Sequence, residues 1–191
     1  MEKAVPARRV IVQVEIGVYL MIASLAIFFI GGLAAFLIVR NQTPNLPAGS
    51  GEFPAGLWVS TAFLIAGSVS IQKALSAVKR ERQLAFRRWL VAAGVLGTLF
   101  LISQSLSLWQ LLEIHWQVLG KTRIWGFLFL LILLHAIHFL FGLGALLMVI
   151  YHGLRGRFDH EFYSNVKLVA VYWHFLDAVW LAMLATFLFT T

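Results

Sequence analysis

The chain contains no cysteine, so it can build no disulfide, no thiolate metal site and no nucleophilic thiol. Charge is scarce as well. Asp, Glu, Lys and Arg make up 12% of the residues, about half the share a soluble domain carries. Acids are the scarcer sign, 8 against 15 Lys and Arg. Proline occurs only 4 times, and Pro44, Pro47 and Pro54 fall in one stretch, which leaves most of the chain free of helix breakers. No Walker A, GxSxG or HExxH pattern occurs, so nucleotide, serine-hydrolase and zincin chemistry lack their usual residues. These absences leave no soluble domain in which to place a large water-exposed active site.

What fills the chain is apolar. Hydrophobic residues make up 61% of it, with a mean hydropathy of +0.87. They gather in five runs, residues 15–39, 57–78, 89–112, 125–151 and 168–189, each long enough for a transmembrane helix. The fold class is therefore all-α: a polytopic membrane protein with five transmembrane helices in a single domain, residues 1–191. Lys3, Arg8 and Arg9 before the first run resemble the start of a signal peptide. The apolar core is far longer than a signal h-region, however, and no small-residue cleavage site follows, so the run reads as a retained span. Between the runs, residues 41–56 form a loop rich in Pro and Gly, 79–88 a tight basic turn, and 113–123 and 152–167 two further loops.

The positions of Lys and Arg set the orientation. The N-terminus, the second and fourth loops and Lys73 hold 12 of them, whereas only Arg40, Lys121 and Arg123 lie on the opposite side. Short loops rich in Lys and Arg stay inside, so the N-terminus is expected to be cytoplasmic and the C-terminus periplasmic. The net charge of +7 sits in these loops, which argues against nucleic acid as a partner. Lys79, Arg80, Arg82, Arg87, Arg88, Arg155 and Arg157 face the leaflet surface as possible contacts for anionic lipid, each able to add about 1 kcal/mol of attraction. Orientation control alone would also account for them.

The polar residues inside the spans carry the rest of the signal. Asp177 lies ten residues in from Lys167, about 15 Å along the helix axis and near the bilayer midplane. An acid there costs at least about 2.5–3.5 kcal/mol, so it needs a partner or a protein-lined face. His174 is three residues earlier on nearly the same face, and Trp173 and Trp180 bracket Asp177. His135 and His138 share a face of the fourth span at comparable depth. They admit three readings: two ligands of one metal completed from elsewhere, ligands of separate haems, or a hydrogen-bonded pair at a helix interface. Consecutive spans usually pack antiparallel, so His135 or His138 is expected to meet His174 or Asp177. Gly142, Gly144, Ala178, Ala182 and Ala185 would permit the close approach. In the second span Ser60, Thr61, Gly67, Ser68 and Ser70 form a quieter face suited to helix packing, and the buried amide Gln104 in the third requires a partner. Trp58, Trp89, Trp109, Trp116 and Trp125 sit near the run boundaries, as interfacial belts do.

The stretch Tyr172-Trp173-His174-Phe175-Leu176-Asp177-Ala178-Val179-Trp180 resembles the YWHF(V/L)D-x-VW segment of subunit III of haem-copper terminal oxidases. Leu134-His135-Ala136-Ile137-His138 with Gly142 resembles that family's HGxH…G helix. Leu57-Trp58-Val59-Ser60-Thr61, continued by Ser68-Val69-Ser70-Ile71-Gln72-Lys73-Ala74-Leu75, resembles its LWxST…SSxxxQxA helix. The likeness runs over residues 15–189 and matches the five-helix bacterial form.

The resemblance implies a non-catalytic subunit of an enzyme that reduces oxygen to water and conserves energy as a proton gradient in aerobic respiration. It would lie in a bacterial cytoplasmic membrane. It implies no haem, copper or other metal in this chain, the haems and copper being held by partner subunits. It also implies packing against the catalytic subunit I and other subunits, and bound phospholipid. His135, His138, Trp173, His174, Asp177 and Trp180 would then be its motif and buried polar residues, with His135, His138, His174 and Asp177 forming a network that locks the fourth and fifth spans. Three positions where the family often has an acid hold Leu25, Ser107 and Lys167, which weighs against a proton relay in this subunit and leaves packing untouched. The accessory subunit of nitric oxide reductase, of the same fold, is the alternative. One of another class is a membrane redox protein binding haem or metal through the intramembrane histidines.

Overall fold

In a computed structural model the structure describes residues 4–42, 55–119, 123–156 and 163–190, with side-chain surroundings for 12–42, 56–110, 113, 126–156 and 163–188. The loop at 43–54, together with Lys3, Lys121 and Arg157, lies outside the described residues, as do the side chains of Arg8, Arg9, Arg123, Trp116 and Trp125. Among the described residues there are five helices and no strand. They are α1 (Ala4–Asn41), α2 (Ala55–Lys79), α3 (Gln83–Leu119), α4 (Arg123–Leu154) and α5 (Ser164–Thr190), and each contains one of the apolar runs. The stretches Val12–Asn41, Gly56–Lys79, Gln83–Gln110, Gly126–Leu154 and Ser164–Leu188 are each long and apolar enough to cross a membrane. Helix is what such runs must form in lipid, where only intrasegment bonds can satisfy the backbone.

The helix ends follow from backbone hydrogen bonding. After α2, Arg82 N–H donates to Ala77 O at 3.0 Å and Glu81 N–H to Val78 O at 3.1 Å. That is the pairing of a Schellman C-cap, and it puts Glu81 at φ 58°, where glycine is the usual occupant. Phe86 N–H then donates to Arg82 O at 2.9 Å and starts α3, so a single tight turn reverses the chain. At the end of α4 the left-handed position is filled by Gly156, at φ 71°.

Helices α2, α3, α4 and α5 close into a ring in which α2 touches α3, α3 touches α4, α4 touches α5 and α5 returns to α2. α1 lies outside this ring, against α4 and α5, and among the described residues it makes no close backbone approach to α2 or α3. The ring is filled by aromatic side chains. Trp173 and Trp180, two turns apart on α5, are fully buried. Trp173 meets Phe139 of α4 at 5.1 Å between ring centroids, Trp180 meets Phe100 of α3 at 5.9 Å, and Phe100 meets Phe139 at 4.6 Å. The bulky indole of Trp173 is admitted by Gly97 on α3 and Gly67 on α2: a Cβ at Gly97 would stand 2.5 Å from Trp173 Cη2. A second cluster joins α1 to the ring through Phe29, Phe36, Leu131, Ile132, Val179, Met183 and Phe187.

Outward faces of α1, α3 and α4 are bulky and apolar. Ile27 is 74% exposed and Phe141 71%. Lipid tails solvate such residues as well as protein does, so helix association here rests on close packing and interhelical hydrogen bonds.

Candidate functional site: polar contacts of α5

The motif on α5 divides among three neighbours because successive residues point about 100° apart around a helix. Tyr172 and Leu176 face α4, where a Cβ at Gly142 would lie 3.0 Å from each side chain. Tyr172 O–H donates to the backbone carbonyl of His138 at 3.1 Å. Trp173 and Trp180 face the ring interior. Trp180 Nε1–H donates to Thr61 Oγ1 of α2 at 3.0 Å, while Thr61 O–H donates back to Leu57 O at 2.7 Å. The threonine hydroxyl thus serves as acceptor and donor at once, and the buried indole N–H is satisfied. Trp173 Nε1 has no hydrogen-bond partner among the described residues.

His174 turns to α2. Its Nδ1 lies 2.7 Å from Ser68 Oγ and its Nε2 3.3 Å from Gln72 Oε1. Ser68 and Gln72 are four apart on α2 and so share a face. With the Gln72 oxygen accepting, Nε2 carries the proton and Nδ1 accepts from the serine hydroxyl, so a neutral imidazole is bonded at both nitrogens. Asp177 Oδ2 lies 3.7 Å from His174 Nδ1, too far for a hydrogen bond, and both Asp177 oxygens are buried without one among the described residues.

The expected lock between the fourth and fifth spans is therefore corrected: His174 and Asp177 do not meet His135 or His138. His135 is 2% exposed and, among the described residues, neither ring nitrogen has a hydrogen-bond partner. Its ring stacks on Trp180 at 5.8 Å and 29°, with Phe29 at 6.2 Å and Phe139 at 6.5 Å. His138 Nδ1 lies 2.6 Å from the Leu134 carbonyl of its own helix, and Phe29 stands edge-on to it at 5.6 Å. α4 thus meets α5 through rings and a backbone carbonyl, and the imidazole–carboxyl pair belongs to the α2 side. The small residues divide likewise. Gly142 lies at the α4–α5 contact, whereas Gly144 has nothing within 4 Å and Ala178 and Ala182 are exposed.

Gln104 has the partner its burial demands. Ser60 Oγ lies 2.9 Å from Gln104 Oε1 and 2.9 Å from Leu57 O, which ties α3 to α2. Beside it a Cβ at Gly56 would collide with the Ser107 hydroxyl. Ser70 O–H donates to Ala66 O at 2.8 Å within its own helix. Two contacts were missed by sequence reasoning. One is Trp180 to Thr61, for which the only signal was the hydroxyl in the same quoted stretch as Ser60. The other is a clasp at the start of α5, where Ser164 O–H donates to Glu15 Oε1 of α1 at 2.9 Å and Lys167 Nζ approaches it at 3.5 Å. The latter fastens α1 to α5 from 152 residues away, with no local pattern to announce it.

The basic residues collect at one end of the bundle. Lys79, Arg80, Arg82, Arg88 and Arg155 are exposed and Arg87 is half-buried. Lys79 Nζ lies 5.5 Å from the Tyr163 ring and the Arg155 guanidinium 4.1 Å from the Tyr151 ring. Trp58 and Trp109 are exposed, and Trp89 lies under Lys73 Nζ at 4.3 Å. Among the described residues no group of three or more His, Asp or Glu stands together as a metal site.

No protein-family model matches the chain. It is similar to cytochrome c oxidase subunit 3 of Corynebacterium diphtheriae, with 27% identity over 185 residues covering 93% of this chain and 88% of that protein. Several proteins named cytochrome c oxidase subunit 3 share this similarity. The subunit 3 of Synechocystis sp. is 26% identical over 171 residues, covering 87% of this chain and 71% of that protein. That of Thermostichus vulcanus is 25% identical over 171 residues, covering 88% and 83%. A match of this length takes in far more than any one motif, and it accords with a multi-pass membrane protein from an oxidase complex.

Proposed function

We propose that this chain is the non-catalytic subunit III of a bacterial haem-copper oxidase, packed on the catalytic subunit I and stabilising it. The similarity to subunit 3 proteins over about nine-tenths of the chain carries the reading. The site geometry supports it. The motif side chains of α5 are engaged as helix fasteners, Trp180 on Thr61 and His174 on Ser68 and Gln72. In this reading the haem and copper reside in partner subunits, and the basic end of the bundle lies on the cytoplasmic side of the inner membrane, in contact with anionic phospholipid headgroups. The N-terminus is cytoplasmic and the C-terminus periplasmic.

Purification of the tagged chain from native membranes in mild detergent tests this. Subunit mass spectrometry is expected to find a core subunit whose optical spectrum and metal content show high-spin haem and copper. A core with non-haem iron in place of copper would assign the chain to nitric oxide reductase instead. A coloured preparation of the isolated chain would overturn the reading in favour of a haem or metal protein.

A further inference from the structure

The packing of the bundle makes no use of the Asp177 carboxyl. Asp177 lies near the centre of the stretch Ser164–Leu188, and both its oxygens are buried without a hydrogen bond among the described residues. Ser68 and His174 are the two side chains close enough to influence it. Neither supplies a positive charge. His174 donates from Nε2 to Gln72 Oε1 and accepts at Nδ1 from the Ser68 hydroxyl, which is the bonding of a neutral imidazole. Titratable groups on the helices packed around α5 are turned elsewhere. Glu15 of α1 is held by Ser164 and Lys167 at the start of α5, and Lys73 of α2 lies over Trp89. On α4, His135 stacks on Trp180 and His138 bonds the Leu134 carbonyl. An ionised carboxyl buried with neither counter-charge nor donor is far costlier than a neutral one, so Asp177 keeps its proton.

The geometry offers that proton a second place. His174 Nδ1 stands 2.7 Å from Ser68 Oγ and 3.7 Å from Asp177 Oδ2. A serine hydroxyl can accept through its oxygen while it donates its hydrogen. We infer that Asp177, Ser68 and His174 form a site that binds one proton, which rests on the Asp177 carboxyl and passes through the Ser68 hydroxyl to His174. In the transfer the carboxyl O–H bond breaks and its proton joins Ser68 Oγ, while the Ser68 proton moves to Nδ1. Asp177 becomes a carboxylate and His174 an imidazolium, and the net charge of the pair stays at zero. Near mid-membrane such an exchange costs less than the gain or loss of a whole charge. Gln72 accepts from Nε2–H in both arrangements and holds the ring in place. His174 is the outward end of the site, with 39% of its side chain exposed on the open strip of α5 that includes Ala178 and Leu181. The ligand is the proton itself, whichever complex the chain joins, so the inference stands apart from the proposed function.

Infrared difference spectra of the full chain in lipid, wild type against Asp177→Asn, locate the resting proton. The variant is expected to lose the C=O stretch of a protonated carboxylic acid at neutral pH. Loss of carboxylate bands alone would overturn the inference. Transfer is tested by a stronger base at position 174, because an amine holds a proton more firmly than imidazole. His174→Lys is expected to abolish the acid band and put carboxylate bands in its place, whereas His174→Gln, which cannot take the proton, retains it. An acid band unmoved by the lysine would show that position 174 does not exchange with Asp177. A purely fastening role would not make the charge of Asp177 follow the base at 174. Should the lysine variant fail to insert, the unaltered chain still decides. Nitrogen resonances of labelled His174 are expected to report a neutral ring protonated at Nε2, with Nδ1 shifted by Ser68→Ala. A ring protonated at both nitrogens at neutral pH, or an Nδ1 resonance indifferent to Ser68→Ala, would overturn the site.

Discussion

Gly97 offers the sharpest test of how the bundle interior is packed. A methyl group there would meet Trp173 Cη2 at 2.5 Å, Cζ2 at 3.1 Å and Leu143 Cδ1 at 3.3 Å. The indole cannot step aside, because Trp173 is 0% exposed and Phe139 stands against it at 5.1 Å. Overpacking of this kind costs about 1–3 kcal/mol. Alanine also gains about 1 kcal/mol over glycine in a helix interior, so Gly97→Ala by itself mixes two opposing effects. Gly144→Ala isolates them, since a methyl at Gly144 meets nothing within 4 Å. The helical gain is common to both variants, and their difference reports the clash alone. Gly94→Ala falls between, because its one near neighbour is Ile150 Cδ1, the free end of a flexible chain. For a chain of this size each kcal/mol moves the unfolding midpoint by about 2–4 °C, so Gly97→Ala should unfold roughly 3–10 °C below Gly144→Ala. Intrinsic tryptophan fluorescence in detergent is the assay, since the absence of cysteine rules out thiol-reactive dyes. Equal midpoints would refute the placement of Trp173 against α3.

Four further outcomes follow from the same geometry. A double-mutant cycle of Trp180→Phe and Thr61→Val should return a coupling of about 0.5–1.5 kcal/mol in chemical unfolding, and zero coupling would remove that hydrogen bond. Asp177→Leu should leave the stability of the isolated chain within about 1 kcal/mol or raise it, since a buried carboxyl without a hydrogen bond stabilises little. A loss above about 2 kcal/mol would reveal a partner for it. Gly156→Ala is expected to cost about 1 kcal/mol, because φ is +71° there and a Cβ is penalised in the left-handed region. Glu15→Gln should shift stability by less than about 1 kcal/mol, as the pair with Lys167 is partly exposed and solvent screens it. A larger shift in thermal unfolding would make the clasp a main fastening of α1.

Much of the site was legible, yet its wiring was not. The burial of Asp177, Gln104 and His135 could be read from their depth in apolar runs, and the need of Gln104 for a partner followed from its amide. That Gly142 permits close approach was also readable, whereas the same expectation failed for Gly144, Ala178 and Ala182. The difference is rotational. Gly142 and Gly144 are 200° apart around α4 at about 100° per residue, so only one can face α5. His174 and Asp177 were expected to look toward α4, but the ring closes α5 onto α2, which gives His174 the partners Ser68 and Gln72 and leaves Asp177 beside His174.

The sequence by itself determined five membrane-spanning helices and where each apolar run lies. Hydropathy and run length act residue by residue along the chain, and lipid leaves the backbone no alternative to helix. Only the tertiary structure decided which neighbour each polar side chain meets, and which strip of α5 stays open. Those outcomes depend on how each helix is turned about its own axis, which is set by how the large indoles of Trp173 and Trp180 fit against Gly97, Phe100 and Phe139 on other helices.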